Sequence, residues 1–131
     1  MRENGFVTLW LGQSSSAGAL NEYVQLQYSD DGELIPSQLM RDFGIPSYDE
    51  DFREAERLGC LERSIRALLR GFSYDAQIIE KFAAICGEQI AFDANAVVLL
   101  YNFRIENPQV ISAGTDAVQL RYMGVTDYYL G

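Results

Sequence analysis

The chain has 131 residues, which is enough for one domain, and its content of 48 % hydrophobic and 22 % charged residues argues against disorder. Its net charge of −9 argues against binding to nucleic acid or to an anionic membrane surface, and favours a basic partner. The chain contains no histidine, the commonest proton-transfer residue, and its composition therefore favours binding over catalysis.

The N-terminal quarter predicts one strand and one helix. The run Phe6–Leu11 is apolar and β-prone, and Gly12 is expected to end it. Ser15 or Ser16 is predicted to cap a helix of roughly ten residues that ends near Tyr28. This region therefore predicts a buried strand that leads into a helix.

Three further helices are predicted before residue 90. Pro36 is predicted at the first position of a short helix that Gly44 closes. Apolar spacing predicts a second helix over about Leu61–Arg70. Ser73 is predicted to cap a third helix, which Gly87 ends, with an apolar stripe made of Ile78, Ile79, Phe82, Ile85 and Cys86.

The C-terminal third changes from helical to strand patterns. Ala96–Phe103 is apolar throughout, as expected of a central strand covered on both faces. Alternation around Val118, Leu120 and Tyr122 predicts a half-buried strand. The whole chain, residues 1–131, is therefore predicted to be one α+β domain, in which three to four helices pack on a small, mainly antiparallel sheet of one N-terminal and two or three C-terminal strands.

Cysteine usage and the N-terminus both favour a cytoplasmic protein. Cys60 and Cys86 form no metal-binding pattern, and we expect them to be reduced and largely buried, a disulfide in a secreted form being the alternative. The apolar run Phe6–Leu11 is too short for a signal-peptide core followed by a cleavage site, or for a membrane span.

The segment from residue 42 to residue 56 combines acidic and aromatic side chains. It contains six acids, at positions 42, 49, 50, 51, 54 and 56, against the single base Arg53, a net charge of −5. Tyrosine beside carboxylate is typical of protein interfaces, and Tyr48, Tyr128 and Tyr129 are candidates for exposure. Trp10, in contrast, is expected in the core.

Other interpretations of the acids remain open. They could begin a helix and stabilise its positive end. An EF-hand starting at Asp49 is excluded, because its sixth position is Glu54 and its twelfth is Cys60, whereas a looser divalent site through Asp49, Asp51 and Glu54 stays open. We assign no metal, cofactor or catalytic residue.

Several short motifs in order along the chain suggest a family. They are Trp10-Leu11-Gly12, Tyr23, Asp42-Phe43-Gly44-Ile45, Tyr48-Asp49-Glu50-Asp51-Phe52, Ser73-Tyr74, the strand Asn95–Phe103 and Met123-Gly124-Val125 near Tyr128. Together they resemble the immunity protein 22 family, predicted antitoxins of bacterial polymorphic-toxin systems. The resemblance implies an α+β fold without catalytic residues and a role in blocking a toxin. It leaves Ala55–Arg70 unmatched and carries over no toxin-contact residue.

We therefore expect a cytoplasmic immunity protein, not an enzyme, that blocks a cognate, basic toxin domain, a nuclease being one candidate. The expected partner-binding residues are Asp42, Tyr48, Asp49, Glu50, Asp51 and Glu54, with Tyr48 as the anchor. Neither nucleic acid nor membrane is an expected partner, and the chain is expected to be a monomer or a weak homodimer. The alternatives are a non-toxin interaction or regulatory module and a small carboxylate-dependent or metal-dependent enzyme.

Overall fold

The computed structural model describes residues 2–129, with side chains from residue 5 onward. The strands within that range are β1 (Arg2–Ser14), β2 (Gln27–Tyr28), β3 (Leu34–Ile35), β4 (Arg53–Ser64), β5 (Gln89–Phe103), β6 (Ser112–Gly114) and β7 (Val118–Asp127). The helices are α1 (Ala17–Val24), α2 (Gln38–Phe43), α3 (Ile65–Leu69) and α4 (Asp75–Cys86), and one turn of 3-10 helix covers Glu50–Phe52. The α+β prediction is confirmed.

The main sheet is antiparallel throughout. Its strand order is β4-β5-β1-β7-β6, so the N-terminal strand lies at the centre, and β4 and β6 form the two edges. The short strands β2 and β3 pair with each other in a separate hairpin, whose turn is closed by a bond from the Gly32 N–H to the Ser29 carbonyl oxygen.

Helices cover both faces of this sheet, and each face has its own apolar core. On one face, Trp10 and Val98 pack with α1 and α2, and Trp10 is 1 % exposed. On the other face, Leu9 and Leu99 pack with α3 and α4. Because alternate residues of a strand point to opposite faces, the continuous apolar pattern of β5 is what a strand covered on both sides requires. The predictions for β5 and Trp10 are confirmed.

Gly12 lies inside β1 and does not end it. It pairs with Ala96 on one side and Leu120 on the other, and a Cβ atom at this position would lie 1.8 Å from the carbonyl oxygen of Gln119. The close approach of β7 therefore requires glycine at this position. The prediction that Gly12 ends the strand is wrong.

The first two predicted helices are present, but their ends differ from the prediction. Ser16 caps α1 by accepting the N–H of Ala19, but the helix ends at Val24 and not near Tyr28. Pro36 lies outside α2, which begins at Gln38 and is capped by Ser37 through the N–H of Met40, while Gly44 closes that helix in the left-handed conformation as predicted.

The second and third predicted helices need larger corrections. Only Ile65–Leu69 of the range Leu61–Arg70 is helical, because the residues before it belong to β4. Ser73 does not cap α4, which is preceded by Tyr74 without a side-chain cap. Within the predicted stripe of α4, Ile85 is 49 % exposed.

Both cysteines are free thiols, but they are less buried than predicted. Cys60 is exposed on β4, and Cys86 is half-buried, where burial raises the pKa of its thiol to about 11. No helix between residues 2 and 129 has the length and hydropathy of a membrane span.

Candidate partner-binding surface

Residues 49–52 form a tight acidic turn at the start of β4. The side chain of Asp49 accepts the N–H of Asp51 at 2.9 Å, and its carbonyl oxygen accepts the N–H of Phe52 at 3.0 Å. These two bonds hold the 3-10 turn and leave Glu50 and Asp51 exposed. Within the described part of the chain, neither of those two carboxylates forms a hydrogen bond or an ion pair.

The aromatic residue exposed beside this turn is Phe52, not Tyr48. Phe52 is 45 % exposed, whereas Tyr48 is 2 % exposed and lies in the core under α1 and α2. The Tyr48 hydroxyl donates to the carbonyl oxygen of Val24 and lies 3.0 Å from Ser37 Oγ, and burial raises the pKa of Tyr48. The prediction that Tyr48 is exposed is wrong, because its hydroxyl finds partners inside the protein that satisfy it. Tyr48 holds the turn against the core.

Asp42 also turns inward. Its two carboxylate oxygens accept bonds from the Tyr23 hydroxyl and from Gln38 Nε2, each at 2.7 Å. Burial, reinforced by this carboxylate, raises the pKa of Tyr23. Both oxygens of Asp42 are thus engaged between α1 and α2, and the structure does not join Asp42 to the acidic turn.

Glu54 connects the acidic turn to the loop that precedes α4. Its carboxylate accepts the backbone N–H of Ser73 at 3.0 Å and the Ser73 hydroxyl at 3.1 Å. The Ser73 carbonyl oxygen in turn accepts the Tyr101 hydroxyl at 2.6 Å. Burial, and then the nearby Glu54, raises the pKa of Tyr101. This chain of bonds brings tyrosines from distant parts of the sequence beside Glu54.

The rings of Tyr74, Tyr101 and Tyr128 form a cluster. The centroid of the Tyr74 ring lies 4.9 Å from that of Tyr128 and 6.2 Å from that of Tyr101. Tyr74 is 41 % exposed and adopts a left-handed backbone with φ of 60°. Tyr128 is 6 % exposed, contrary to expectation, whereas Tyr129 is 78 % exposed as expected. Tyr74 is thus the member of the cluster that offers a ring to solvent.

Acids and rings meet around a small cavity of about 150 Å³. Its lining residues are Asp51, Phe52, Glu54, Ser73, Tyr74, Tyr101 and Tyr128. We call the exposed surface around it, made of Asp49, Glu50, Asp51, Phe52, Glu54 and Tyr74, the acidic-aromatic patch. Four of its six residues were predicted, and Phe52 and Tyr74 were missed. Phe52 lay within the segment singled out by its acids, but nothing in the sequence links Tyr74 to it.

The patch has the chemistry of a binding surface. It joins unpaired carboxylates to partly exposed rings, a combination that attracts a basic protein and offers apolar area to bury. Across residues 2–129, no three potential ligands among Asp, Glu and Cys are placed to hold a metal ion.

The family comparison agrees with the resemblance inferred from the motifs. The family model described as immunity protein 22 matches residues 7–129. No curated protein and no solved structure matches the chain. Because the match covers nearly the whole length, the chain belongs to the immunity protein 22 family.

Proposed function

We propose that this member of the immunity protein 22 family binds and blocks a cognate toxin domain, and that the acidic-aromatic patch is its contact surface. The observation that carries the proposal is the placement of the unpaired Glu50 and Asp51 beside the exposed rings of Phe52 and Tyr74. In this proposal the carboxylates attract the toxin, and the rings become buried against it.

Electrostatics favours a basic toxin domain. The chain carries a net charge of −9, and the acidic turn concentrates negative charge at one place on the surface. Opposite fields raise association rates toward roughly 10⁸–10⁹ M⁻¹s⁻¹ at low salt, and fast capture benefits a protein that must intercept a lethal enzyme. A toxin that acts on an anionic substrate, such as a nuclease, would present such a basic face. In this proposal the immunity protein meets the toxin in the cytoplasm, before the toxin reaches its substrate.

Charge reversal at the acidic turn tests this proposal. The experiment measures association of the chain with the toxin domain encoded beside its gene, catalytically inactivated, at two salt concentrations. The variant combines Glu50→Lys and Asp51→Lys and leaves Asp49, which holds the turn, unchanged. We expect the association rate at low salt to fall at least tenfold and its salt dependence to weaken.

The control variant combines Asp30→Lys and Asp31→Lys in the β2–β3 turn, where both side chains are exposed. It changes the net charge of the molecule by the same amount at another place. Equal slowing in both variants would show that net charge acts and the patch does not. Failure of the unsubstituted chain to bind the toxin domain, or to protect cells that express it, would reject the immunity role.

A further inference from the structure

The outer edge of β4 is open along residues 54–57. The ladder with β5 is regular from Arg53, opposite Leu100, to Arg57, opposite Ala96, and is then interrupted before Glu62, which lies opposite Ala94. Arg53 donates its backbone N–H to Glu50 and not to β5. Because N–H direction alternates along a strand, Ala55 and Arg57 are expected to point their N–H groups outward as well. No other backbone group of residues 2–129 pairs with this edge.

A groove runs along this edge and meets the acidic-aromatic patch. Its volume is about 440 Å³, and it is lined by residues 53–58, by Asn21 of α1, and by residues 67, 68 and 70–72. Glu54 belongs to both the groove and the patch. A partner that covers the patch therefore reaches the open edge without a break in the surface.

Charge argues against a second copy of this chain in the groove. The open edge reads Arg53-Glu54-Ala55-Glu56-Arg57, which is the same in both directions. Symmetric antiparallel pairing centred on Ala55 would set Arg53 opposite Arg57 and Glu54 opposite Glu56. Centring it on any other residue of the edge sets that charged residue opposite itself. Like charges directly opposite each other destabilise a strand pair, so the edge favours a different partner strand.

The side chains of residues 53–57 differ in charge between the two faces of the sheet. Arg53 and Arg57 turn back over the α1 side, where each donates to a backbone carbonyl, of Val24 at 3.0 Å and of Ser14 at 2.8 Å. Glu54 and Glu56 lie on the opposite, α3 side, since they face Leu99 and Val97 of β5. Glu56 is exposed and has no partner among the described side chains. The α3 side thus carries two negative charges at alternate positions: Glu56, which has no partner, and Glu54, whose oxygens accept only from the uncharged Ser73.

We propose that the toxin domain adds an extended strand to residues 53–57 of β4, with basic side chains at two alternate positions facing Glu54 and Glu56. This inference rests on the proposed function and names the manner of binding. Main-chain hydrogen bonds to the outward groups of the edge supply affinity, and the two carboxylates fix the register. The end of the added strand lies beside Phe52 and Tyr74, which are covered in the same complex.

Proline at the edge tests strand addition. Ala55→Pro removes one outward N–H without changing charge, and an edge strand tolerates proline at such a position. The control is Ser112→Pro on the opposite edge: Ile111 directs its carbonyl to β7, so alternation points the N–H of Ser112 outward. We expect both variants to keep the melting temperature, and A55P alone to bind the neighbouring toxin domain at least tenfold more weakly.

Hydrogen exchange on the unsubstituted chain gives a second measurement that does not depend on variant folding. On addition of the inactivated toxin domain, the amides of Ala55 and Arg57 are expected to become protected. Unchanged exchange at both amides would overturn strand addition, as would binding of folded A55P within twofold of wild type. If the patch reversal still slows association, the immunity role survives that failure. A dimer of the chain alone that A55P dissociates would make a second copy the occupant and also overturn the proposal.

Discussion

At the residue scale, two aromatic residues of one acidic segment differ in burial: Tyr48 lies in the core and Phe52 lies at the surface. Tyr48 is buried with its hydroxyl bonded to Val24 and Ser37, while Phe52 is 45 % exposed. We expect Tyr48→Phe to lower the free energy of unfolding by about 1–2 kcal/mol, because buried polar partners lose a hydrogen bond. Denaturant unfolding measures this change, and toxin affinity is expected to stay the same.

Phe52→Ala is the complementary change. A ring at the centre of a contact typically contributes about 2 kcal/mol or more to binding, whereas truncation of a half-exposed ring costs the free chain little. We expect calorimetry to show toxin affinity lowered at least tenfold while the melting temperature is nearly kept. Normal binding by Phe52→Ala would show that Phe52 lies outside the contact. Unfolding of Phe52→Ala would show that the Phe52 ring stabilises the fold.

Gly12 and Gly18 offer a matched pair of glycine substitutions with opposite expected signs. A Cβ at Gly12 would lie 1.8 Å from the Gln119 carbonyl oxygen, whereas a Cβ at Gly18 in α1 would meet Ser16 Oγ at 3.9 Å. Gly12→Ala is expected to lower the free energy of unfolding by about 3 kcal/mol or more, because two paired strands must separate. Gly18→Ala is expected to raise it by roughly 0.5–1 kcal/mol. Urea denaturation of both variants checks the signs, and a tolerated alanine at Gly12 would contradict the close approach of β1 and β7.

Single residues also show where sequence prediction stops. The exposure of Glu50 and Asp51 follows from their charge, which is costly to bury. The burial of Tyr48 depends on a carbonyl oxygen 24 positions earlier in the chain, and the exposure of Tyr74 depends on a left-handed backbone. Neither feature can be predicted from the residues next to Tyr48 or Tyr74 in the sequence.

At the scale of elements, one arginine ties α3 to α4 and to the start of β5. The Arg66 guanidinium donates to Glu80 at 2.6 Å and to Glu88 at 2.8 Å, and these bonds lower the pKa of both carboxyls. Since the folded pKa lies below the ordinary value, the stabilisation is present above about pH 4.5 and is lost as pH falls through the folded pKa.

Arg66→Ala is therefore expected to lower the melting temperature by a few degrees near pH 7, and this difference should shrink toward pH 3. All three groups are exposed, so the effect is modest and should also weaken in high salt. Thermal unfolding between pH 3 and pH 7 measures it. Arg70→Ala is the control, because Arg70 forms no ion pair with the carboxylates that the structure describes. A melting difference for Arg66→Ala that stays constant with pH would contradict this linkage.

Elements with an apolar pattern were predictable, and the charged strand was not. The patterns of β1, β5 and β7 follow from burial on one or both faces. Strand β4 begins Arg53-Glu54-Ala55-Glu56-Arg57, a sequence of low β-propensity that a sheet edge tolerates, since solvent reaches its side chains. The helix predicted from Leu61 begins only at Ile65, because apolar residues at helical spacing do not reveal that the residues before it belong to a strand.

At the scale of the whole molecule, the architecture limits where a partner can bind. Helices pack on both faces of the main sheet, and the β6 edge spans only three residues. The β4 edge has five regular positions and adjoins the acidic-aromatic patch. The α+β class could be predicted from the order of apolar patterns, but this adjacency depends on pairing between strands that are distant in sequence.

The oligomeric state tests the charge argument directly. With the native edge sequence, symmetric pairing meets like charges, and we expect the chain to be a monomer. Combining Glu54→Lys with Arg57→Glu keeps the net charge at −9 but sets opposite charges against each other in the register centred on Ala55. Each such pair contributes roughly 0.2–1 kcal/mol, and four occur in a symmetric pair of strands. We expect sedimentation velocity to show a concentration-dependent dimer for this variant alone.

The matched control for that variant combines Glu54→Gln with Arg57→Gln, which keeps the net charge and removes repulsion without adding attraction. It distinguishes pairing that opposite charges drive from pairing that follows once the repulsion between like charges is removed. A dimer of the unsubstituted chain through β4 would contradict the argument, as would a charge-swapped variant that folds yet stays monomeric at every concentration. In either case the order of Arg and Glu along β4 would not decide which strand the edge accepts.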